Sequence, residues 1–251
     1  MTIDSPKQHN IPALRKLWQE AFEDGDDFLD GFFSTGFSPI RCRCLWQNNT
    51  LAAALYWFDC QWAGKKVAYV YAVATLKDFQ GKGLCRALME DTHAHLHKEG
   101  YAGAVLVPGS EELFKLYGKL GYAPCCKKTE LTMQANKPVT NCRQITVSEY
   151  HNLQKMFLPE NAVFHGETAL VFVATFCKFY AGEGFAFCAG KDEDTLYFQE
   201  FLGDISKVPG ILTALKAEKG VLRIPGGREF AMYHSLHGDS ALPDYFDISM
   251  G

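Results

Sequence analysis

The stretch Tyr71-Ala-Val-Ala-Thr75 and the later segment Phe79-Gln-Gly-Lys-Gly-Leu-Cys-Arg86 decide the fold. The first is an apolar run typical of a buried strand, and the second places two glycines directly before a run with helical spacing. A helix N-terminus opened by glycine presents unpaired backbone N–H groups, and the helix dipole adds partial positive charge there. The pattern therefore predicts a strand, an anion-binding loop and a helix within residues 73–90.

Two other phosphate-binding motifs do not fit this loop. A Walker A motif requires Gly-Lys followed by Ser or Thr, whereas Lys82 is followed by Gly83. A dinucleotide-binding Gly-x-Gly-x-x-Gly motif requires glycine where Arg86 stands, and an acidic residue where Val107 and Pro108 end the next apolar run. Taken alone, a Gly-x-Gly turn is also compatible with a tight turn that binds no ligand.

The sequence on either side of the loop predicts an α/β architecture. Apolar residues at helical spacing indicate helices, and short alternating runs bounded by turn residues indicate strands in an antiparallel meander. The elements predicted for the N-terminal part are, in order, a helix over 11–22, a helical segment over 26–33, strands over 40–46, 51–62 and 66–75, a helix after Gly83, a strand over 102–107, a helix over 111–120 and a strand over 127–133.

A polar stretch from Gln134 to Asn141, which contains Pro138, indicates a linker. We therefore expect two domains, residues 1–138 and residues 139–251. The element order of the second half predicts a smaller, degenerate copy of the first. Its predicted elements are a helix over 148–157, strands within 162–187, a strand over 195–202, a helix over 205–217, a strand over 220–224 and the segments 229–236 and 245–250.

Two motifs resemble those of the GNAT acetyltransferases. Gln80-Gly81-Lys82-Gly83-Leu84-Cys85 resembles the family pattern Q/R-x-x-G-x-G/A, with Cys85 as the departure, and the segment from Leu116 to Tyr122 resembles the later F/L-Y-x-x-x-G-F/Y pattern. The resemblance implies that residues 1–138 form an acetyl-CoA-binding catalytic domain with a mixed sheet and that residues 139–251 form a smaller GNAT-like domain. The paired arrangement is distantly similar to that of the two-domain enhanced-intracellular-survival acetyltransferases.

The resemblance also implies roles for individual residues. Tyr117 would be the general acid that protonates the departing thiolate, and Ser110 stands where many members have an asparagine that contacts the cofactor. The backbone of the strand that separates from its neighbour would bind the pantetheine arm and polarise the thioester carbonyl at Val73, Ala74 and Thr75. The residues that would hold the pyrophosphate are Gln80, Gly81, Lys82, Gly83, Leu84, Cys85 and Arg86.

The predicted reaction is direct transfer of an acetyl group from acetyl-CoA to a primary amine. One alternative is a non-catalytic acetyl-CoA-binding regulatory module, because Tyr69 and Tyr71 occupy the strand where many GNAT members have a glutamate. A second is an aminoacyltransferase with paired GNAT-like domains. The general base is unassigned, and the candidates are Asp59, Glu200 and the C-terminal carboxylate of Gly251.

Composition excludes several classes of partner. The 251-residue chain has a formal net charge of -4 and no long basic run, which argues against nucleic acid and anionic membranes. The absence of a signal-peptide pattern and of disulfide or zinc spacing among the nine cysteines predicts a cytoplasmic protein with reduced thiols. His93 and His97 have i,i+4 spacing but no further ligand pattern, so we expect no metal site. The expected partner is a small-molecule amine, and the oligomeric state stays open.

Overall fold

The computed structural model of the protein describes residues 1–136 and 138–250. Within these residues the chain divides into two compact units. Unit 1 comprises Met1–Pro124 and Met232–Leu242, and unit 2 comprises Cys125–Ala231 together with the tail that starts at Pro243. The boundary expected at residue 138 lies inside unit 2, and unit 1 takes its last segment from near the end of the chain.

The strands of the described residues are numbered in chain order. They are β1 (Thr2–Asp4), β2 (Cys42–Gln47), β3 (Thr50–Trp62), β4 (Lys65–Thr75), β5 (Gly103–Leu106), β6 (Ala123–Gln134), β7 (Arg143–Ile145), β8 (Phe164–His165), β9 (Lys178–Gly182), β10 (Phe185–Asp192), β11 (Thr195–Gly203), β12 (Lys219–Pro225) and β13 (Arg228–Ser235).

The helices alternate with these strands in both units. They are α1 (Ile11–Phe22), α2 (Asp26–Gly31), α3 (Leu84–Lys98), α4 (Glu111–Gly118), α5 (Val147–Phe157), α6 (Glu167–Val173) and α7 (Val208–Ala214). Short 3₁₀ turns cover Gln8–Asn10, Pro39–Arg41, Lys77–Phe79 and Ile205–Lys207, and a π-helical turn covers Phe32–Gly36. In the described part of the chain, no helix combines the length and the apolar character that a bilayer crossing requires.

Two tight turns join β2, β3 and β4 into an antiparallel meander. Asn48 and Asn49 have φ angles of 50° and 62°, and Ala63 and Gly64 have φ angles of 49° and 72°. Positive φ at both central residues is the requirement of the type I′ turn, whose twist matches that of the paired strands. The predicted meander is therefore confirmed, and its turns lie between the predicted strands.

The sheet of unit 1 has the order β1-β2-β3-β4-β5 and is extended by the end of β13. β4 and β5 are parallel, and the other neighbouring strands are antiparallel. Helix α3 connects the parallel pair, and Leu88, Met89 and Leu96 on its inner face are fully buried in the core. This burial confirms the helical face predicted from the spacing of the apolar residues, and it fixes where α3 begins relative to the end of β4.

Unit 2 repeats this plan. Its sheet has the order β7-β9-β10-β11-β12-β6, with β11 and β12 parallel and the other neighbours antiparallel. Helix α7 connects the parallel pair, as α3 does in unit 1, and its residues Val208, Ile211 and Leu212 are fully buried. The expected degenerate copy is confirmed as a fold. Strand β6 belongs to it because residues 128–134 pair with 219–225 of β12.

The sequence analysis predicts the wrong type of secondary structure for one segment of the second half. Strands are predicted within 162–187, but Glu167–Val173 is helix α6. The β-branched and aromatic residues of this segment favour a strand by composition. In the structure Ala169, Phe172 and Val173 lie one helical turn apart and are buried together, so tertiary burial of that face overrides the local preference.

The contact between β5 and β13 generates a prediction about stability. Gly103 pairs with Ser235, and a Cβ atom at residue 103 would overlap the ring and hydroxyl group of Tyr233, which is 2% exposed. The Gly103→Ala variant is expected to lower the free energy of unfolding by about 1–3 kcal/mol because the packed ring must shift. Urea unfolding measures this.

Gly118→Ala is the matched control, since a Cβ atom there meets nothing within 4 Å. Because Gly118 is the last residue of helix α4, that variant is expected to keep or slightly raise the stability of the wild-type protein. An equal loss in both variants would contradict the close approach of β13 to Gly103.

Candidate active site

The parallel pair β4–β5 comes apart near the middle of β4. In the described chain, β4 pairs with β5 at Val67, Ala68 and Tyr69, and β4 then continues to Thr75 without a partner on that side. A strand that loses its neighbour leaves backbone N–H and C=O groups available for an extended ligand. The structure thus leaves this edge of Val73, Ala74 and Thr75 open, at the position named from the sequence.

A bulge in β4 accompanies this separation. Tyr71 faces Tyr56 and Ala74 faces Ala54, so two residues of β4, Ala72 and Val73, stand against Leu55 of β3. Ala72 has a φ angle of 49°, which is uncommon for a residue with a Cβ atom. Bulges re-aim the strand and increase its local twist. The sequence analysis missed this bulge, because nothing in an apolar run marks the residue that leaves the ladder.

The loop after β4 is built around two glycines with positive φ. Gly81 has a φ angle of 72° and Gly83 has a φ angle of 76°, and Gly83 is the N-cap of α3. A side chain would have room at both positions, so the backbone conformation is what favours glycine there. The loop is exposed, which keeps its backbone accessible.

The N-terminus of α3 offers unpaired donors. Its first backbone hydrogen bond runs from Ala87 N–H to Gly83 C=O at 3.1 Å, and no side chain of the described residues caps the helix. The N–H groups of Leu84, Cys85 and Arg86 therefore point out of the helix start without an intrahelical acceptor. This geometry fits a phosphate group, which gains both hydrogen bonds and the helix dipole.

The charged and polar side chains of the loop are already engaged. Lys82 Nζ donates to the Asp78 carbonyl at 2.7 Å, and Arg86 pairs with Glu90 at 3.5 Å on an exposed surface. Gln80 Nε2 donates to the Thr75 carbonyl at 3.1 Å. These side chains hold the loop against the end of β4, so the donors that remain for an anion are mainly backbone groups.

Helix α4 carries the two remaining predicted site residues. Ser110 is its N-cap and accepts a hydrogen bond from Leu113 N–H at 3.4 Å. Tyr117 is 6% exposed and packs against Tyr122, with 5.8 Å between the ring centroids. Burial raises the pKa of Tyr117 above its usual value, and the nearby Cys85 thiol raises it further. The Tyr117 hydroxyl group therefore stays protonated at neutral pH and lies close to the start of α3.

Asp59, one candidate base, lies far from Ala74. It faces Ala68 across the β3–β4 ladder, six residues before Ala74, which corresponds to about 20 Å along the strand. Its carboxylate accepts hydrogen bonds from Tyr101 and, at 3.2 Å, from Arg41. Asp59 therefore cannot take a proton directly from a group bound beside Ala74.

Glu200, the second candidate, is a buried residue of unit 2. It is 3% exposed and accepts hydrogen bonds from Tyr150 at 2.9 Å and from Gln154 at 2.6 Å. Desolvation, followed by the charge of Asp247, raises the pKa of Glu200 to about 7. Its local role is thus that of a buried hydrogen-bond acceptor. The third candidate, the Gly251 carboxylate, lies outside the described residues.

The histidines of α3 make ring contacts. His93 hydrogen-bonds to the Tyr122 hydroxyl at 2.9 Å and stacks on His234 with 4.4 Å between centroids. Burial, followed by the charge of His234, lowers the pKa of His93 to about 4. Across the described ranges, no group of three or more His, Cys, Asp or Glu side chains is arranged to hold a metal ion.

The sequence analysis missed a carboxylate near the bulge. Trp18 Nε1 donates to Asp24 at 2.8 Å, and the Trp18 ring lies 5.5 Å from that of Tyr71, the residue before Ala72. Burial raises the pKa of Tyr71 above its usual value, and the charge of Asp24 raises it further, which indicates that the two groups are close. Asp24 follows α1 in a polar stretch, and no motif marks it in the sequence.

Comparison with known proteins identifies the domain around these residues. Residues 2–125 match a family model described as an acetyltransferase (GNAT) domain. The aromatic, acidic and loop residues of this site, from Trp18 to Tyr117, all fall within the matched range. A search of the curated proteins finds no match.

Solved structures resemble nearly the whole chain. A GCN5-related N-acetyltransferase from Anabaena variabilis is 12% identical, with a TM-score of 0.70 over 94% of this chain and 72% of that one. Eis1 from Mycobacterium abscessus is 10% identical, with a TM-score of 0.67 over 94% and 74%. A putative acetyltransferase from Pyrococcus horikoshii is 12% identical, with a TM-score of 0.69 over 98% and 92%. At such identities the likeness establishes the fold, and the expected distant similarity to the enhanced-intracellular-survival type is confirmed.

The buried carboxyl group of Glu200 makes stability depend on pH. Its pKa is about 7 in the folded protein against a reference value of 4.5, so the folded state binds the proton more tightly than the unfolded state. The stabilisation that protonated Glu200 contributes is therefore complete below about pH 4.5 and is lost as the pH rises through about 7, by up to about 3 kcal/mol. The Glu200→Gln variant is expected to lose this part of the decline in urea unfolding.

The exposed Glu218→Gln variant serves as the control and is expected to keep the wild-type pH profile. A decline of the same size in wild type and in Glu200→Gln would show that the Glu200 carboxyl group does not cause it.

Proposed function

Since the chain belongs to the GNAT acetyltransferases through residues 2–125, we propose that it transfers the acetyl group of acetyl-CoA to a primary amine. The observation that carries this proposal is the open edge of β4 next to the unpaired N–H groups of α3. Acetyl-CoA would supply an acetyl thioester whose carbonyl carbon the amine attacks. The β4 backbone edge could bind the extended pantetheine arm, and the backbone N–H groups at the start of α3 could bind the diphosphate.

The residues named from the sequence would share the binding of acetyl-CoA. The backbone of Val73, Ala74 and Thr75 would pair with the pantetheine arm, as an added strand pairs with a sheet edge. The loop from Gln80 to Arg86 would receive the pyrophosphate on its backbone N–H groups. Ser110 caps α4 through its hydroxyl oxygen. Its hydroxyl group also hydrogen-bonds to the Glu112 carboxylate on the surface, and it would exchange that bond to contact the bound molecule.

Tyr117 would act as the general acid. The amine nitrogen attacks the thioester carbon, the carbon–sulfur bond breaks, and the Tyr117 hydroxyl group gives its proton to the departing sulfur. The product nitrogen releases a proton to solvent, and the tyrosinate takes one back. Burial keeps Tyr117 protonated before the reaction, and its proximity to Cys85 at the start of α3 supports a position near the sulfur.

Transfer would be direct, without an acyl-enzyme intermediate. A cysteine nucleophile acts as the thiolate. Burial raises the pKa of the Cys85 thiol, which keeps it neutral and poorly nucleophilic. Cys85 therefore supports the packing around Tyr117 and does not compete with the amine.

Asp24 would recognise the amine as a cation. Its carboxylate is half-exposed, lies beside the aromatic rings of Trp18 and Tyr71, and adjoins the bulge of β4. A carboxylate next to aromatic faces favours an ammonium group through charge and cation–π attraction. An acceptor with a second amino group would place one on Asp24 and present the other, uncharged, to the thioester.

The Tyr117→Phe variant tests the general acid. It is expected to lower kcat by about 100-fold or more while acetyl-CoA binding stays within a few-fold of wild type, because only the proton donor is removed. Steady-state kinetics with an amine acceptor and calorimetric titration with acetyl-CoA measure the two effects. Tyr122→Phe, which removes the hydroxyl group of the neighbouring ring, is the matched control and is expected to keep kcat. Unchanged turnover in Tyr117→Phe would remove this tyrosine from the mechanism.

The Asp24→Asn variant tests recognition of the amine. The amide keeps an acceptor for Trp18 but loses the charge, so KM for a diamine acceptor is expected to rise about tenfold, with KM for acetyl-CoA unchanged. The acceptor is the best substrate in a panel of alkyl monoamines, diamines and triamines. The exposed Asp27→Asn variant is the control and is expected to match wild type. A parallel rise in both variants would indicate a general charge effect and not a contact at Asp24.

A further inference from the structure

Unit 2 contains its own strand separation. Within the described residues, β11 pairs with β12 at Thr195, Leu196 and Tyr197, and β11 then continues to Gly203 without β12 beside it. This repeats the geometry of β4 and β5 in unit 1. A pocket of about 300 Å³ lies at the ends of these strands and involves Phe201 and Ile224.

The gap in unit 2 is closed to a pantetheine arm by protein groups. Arg223 of β12 reaches across it and donates to the Gln199 carbonyl at 3.5 Å and to the Gln199 side chain at 3.2 Å. The connection from β11 to α7 is a 3₁₀ turn at Ile205–Lys207, and Pro209 stands in the first turn of α7, where it removes a donor. Unit 2 thus retains the strand separation of unit 1. The backbone edge of β11 and the N-terminus of α7 are, however, not available to a ligand as those of β4 and α3 are.

A buried ammonium group faces the pocket. Lys128 is 5% exposed and lines the pocket, and its Nζ atom makes no hydrogen bond to another described residue. Asp247 Oδ2 lies 3.4 Å from Nζ but outside hydrogen-bond geometry, and the Tyr245 ring centroid lies 4.0 Å away. An ammonium group carries three donors, and leaving them unpaired inside a protein is costly. The Lys128 donors that do not point at Asp247 are thus available to an acceptor in the pocket.

The charges around the pocket leave a positive excess. Lys128 and Arg223 both face Asp247, the Arg223 Nε atom at 3.6 Å from Oδ1. The other nearby acid, Glu200, is bonded to Tyr150 and Gln154, and burial raises its pKa to about 7. At neutral pH Glu200 is therefore only about half-ionised, and the two cations outweigh the negative charge around them.

The rest of the lining is apolar. Phe201, Ile205 and Ile224 also line the pocket, and each is half-buried against the core of unit 2. A volume of about 300 Å³ lies at the small end of ligand pockets, which suits a compact molecule. The occupant must combine one negative charge with a small apolar body.

We propose that this pocket of unit 2 binds a small carboxylic acid with an apolar body. The carboxylate would accept hydrogen bonds from Lys128 Nζ, and the apolar part would lie against Phe201, Ile205 and Ile224. The described residues that line this pocket all belong to unit 2.

Calorimetric titration of the full chain with benzoate tests the proposal. Benzoate is expected to bind, whereas benzyl alcohol, which lacks the charge, and inorganic phosphate, which lacks the apolar body, are expected to bind at least about tenfold more weakly. The Lys128→Met variant is expected to raise the Kd for benzoate at least about tenfold, and the exposed neighbour variant Lys127→Met is expected to leave it within about twofold.

A second variant keeps the test independent of folding. Ile205→Trp fills the pocket from a surface turn and leaves the charged groups in place, so it is expected to abolish benzoate binding while acetyl-CoA still binds. No binding heat with benzoate at concentrations up to about 10 mM would overturn the proposal. Equal Kd values in Lys128→Met and Lys127→Met would also overturn it, as would phosphate that binds as tightly as benzoate.

Discussion

The short pairing of two parallel strands is the constraint on which the candidate site depends. β4 and β5 share three paired positions, while β4 runs six residues further. The bulge at Ala72 and Val73 turns the strand end away from its neighbour, and α3 must begin close by because its apolar face is fixed in the core. An open backbone edge and an unpaired helix start are thereby brought together by packing, without any charged side chain being needed to form the site.

The two units show the same strand plan with different chemistry in the gap. In unit 1 the residues beside the gap are small or apolar, and the adjoining loop contains Gly81 and Gly83. In unit 2 the Arg223 guanidinium reaches across the gap, Asp247 pairs with both Arg223 and Lys128, and a proline stands in the helix start. The fold alone therefore does not determine which ligand each strand separation can bind. A few side chains decide whether the separation presents a backbone edge or a charged pocket.

The sequence was most informative where local rules act alone. Helix α1, the meander with its turns at Asn48 and Gly64, and the glycine loop before α3 all follow from periodicity and turn chemistry. Features that depend on contacts between distant residues were not predicted from the sequence. The partner of β6, the helix at Glu167–Val173 and the bulge at Ala72 depend on which surfaces meet in three dimensions. Asp24 became visible only through its contacts with Trp18 and Tyr71, which lie far apart in sequence.

The path of the chain through β13 bears on how this protein is made. Unit 1 breaks off at Pro124 and resumes at Met232, so its sheet lacks the strand beside β5 until the intervening residues 125–231 have been synthesised. Domains emerging from the ribosome usually fold in turn, the N-terminal one first. Here the edge of β5 in the N-terminal unit stays unpaired until β13 has been synthesised. The β4 edge proposed to bind acetyl-CoA lies in the same sheet. Completion of the unit 1 sheet is thus coupled to translation of residues 125–231, which lie between its two segments.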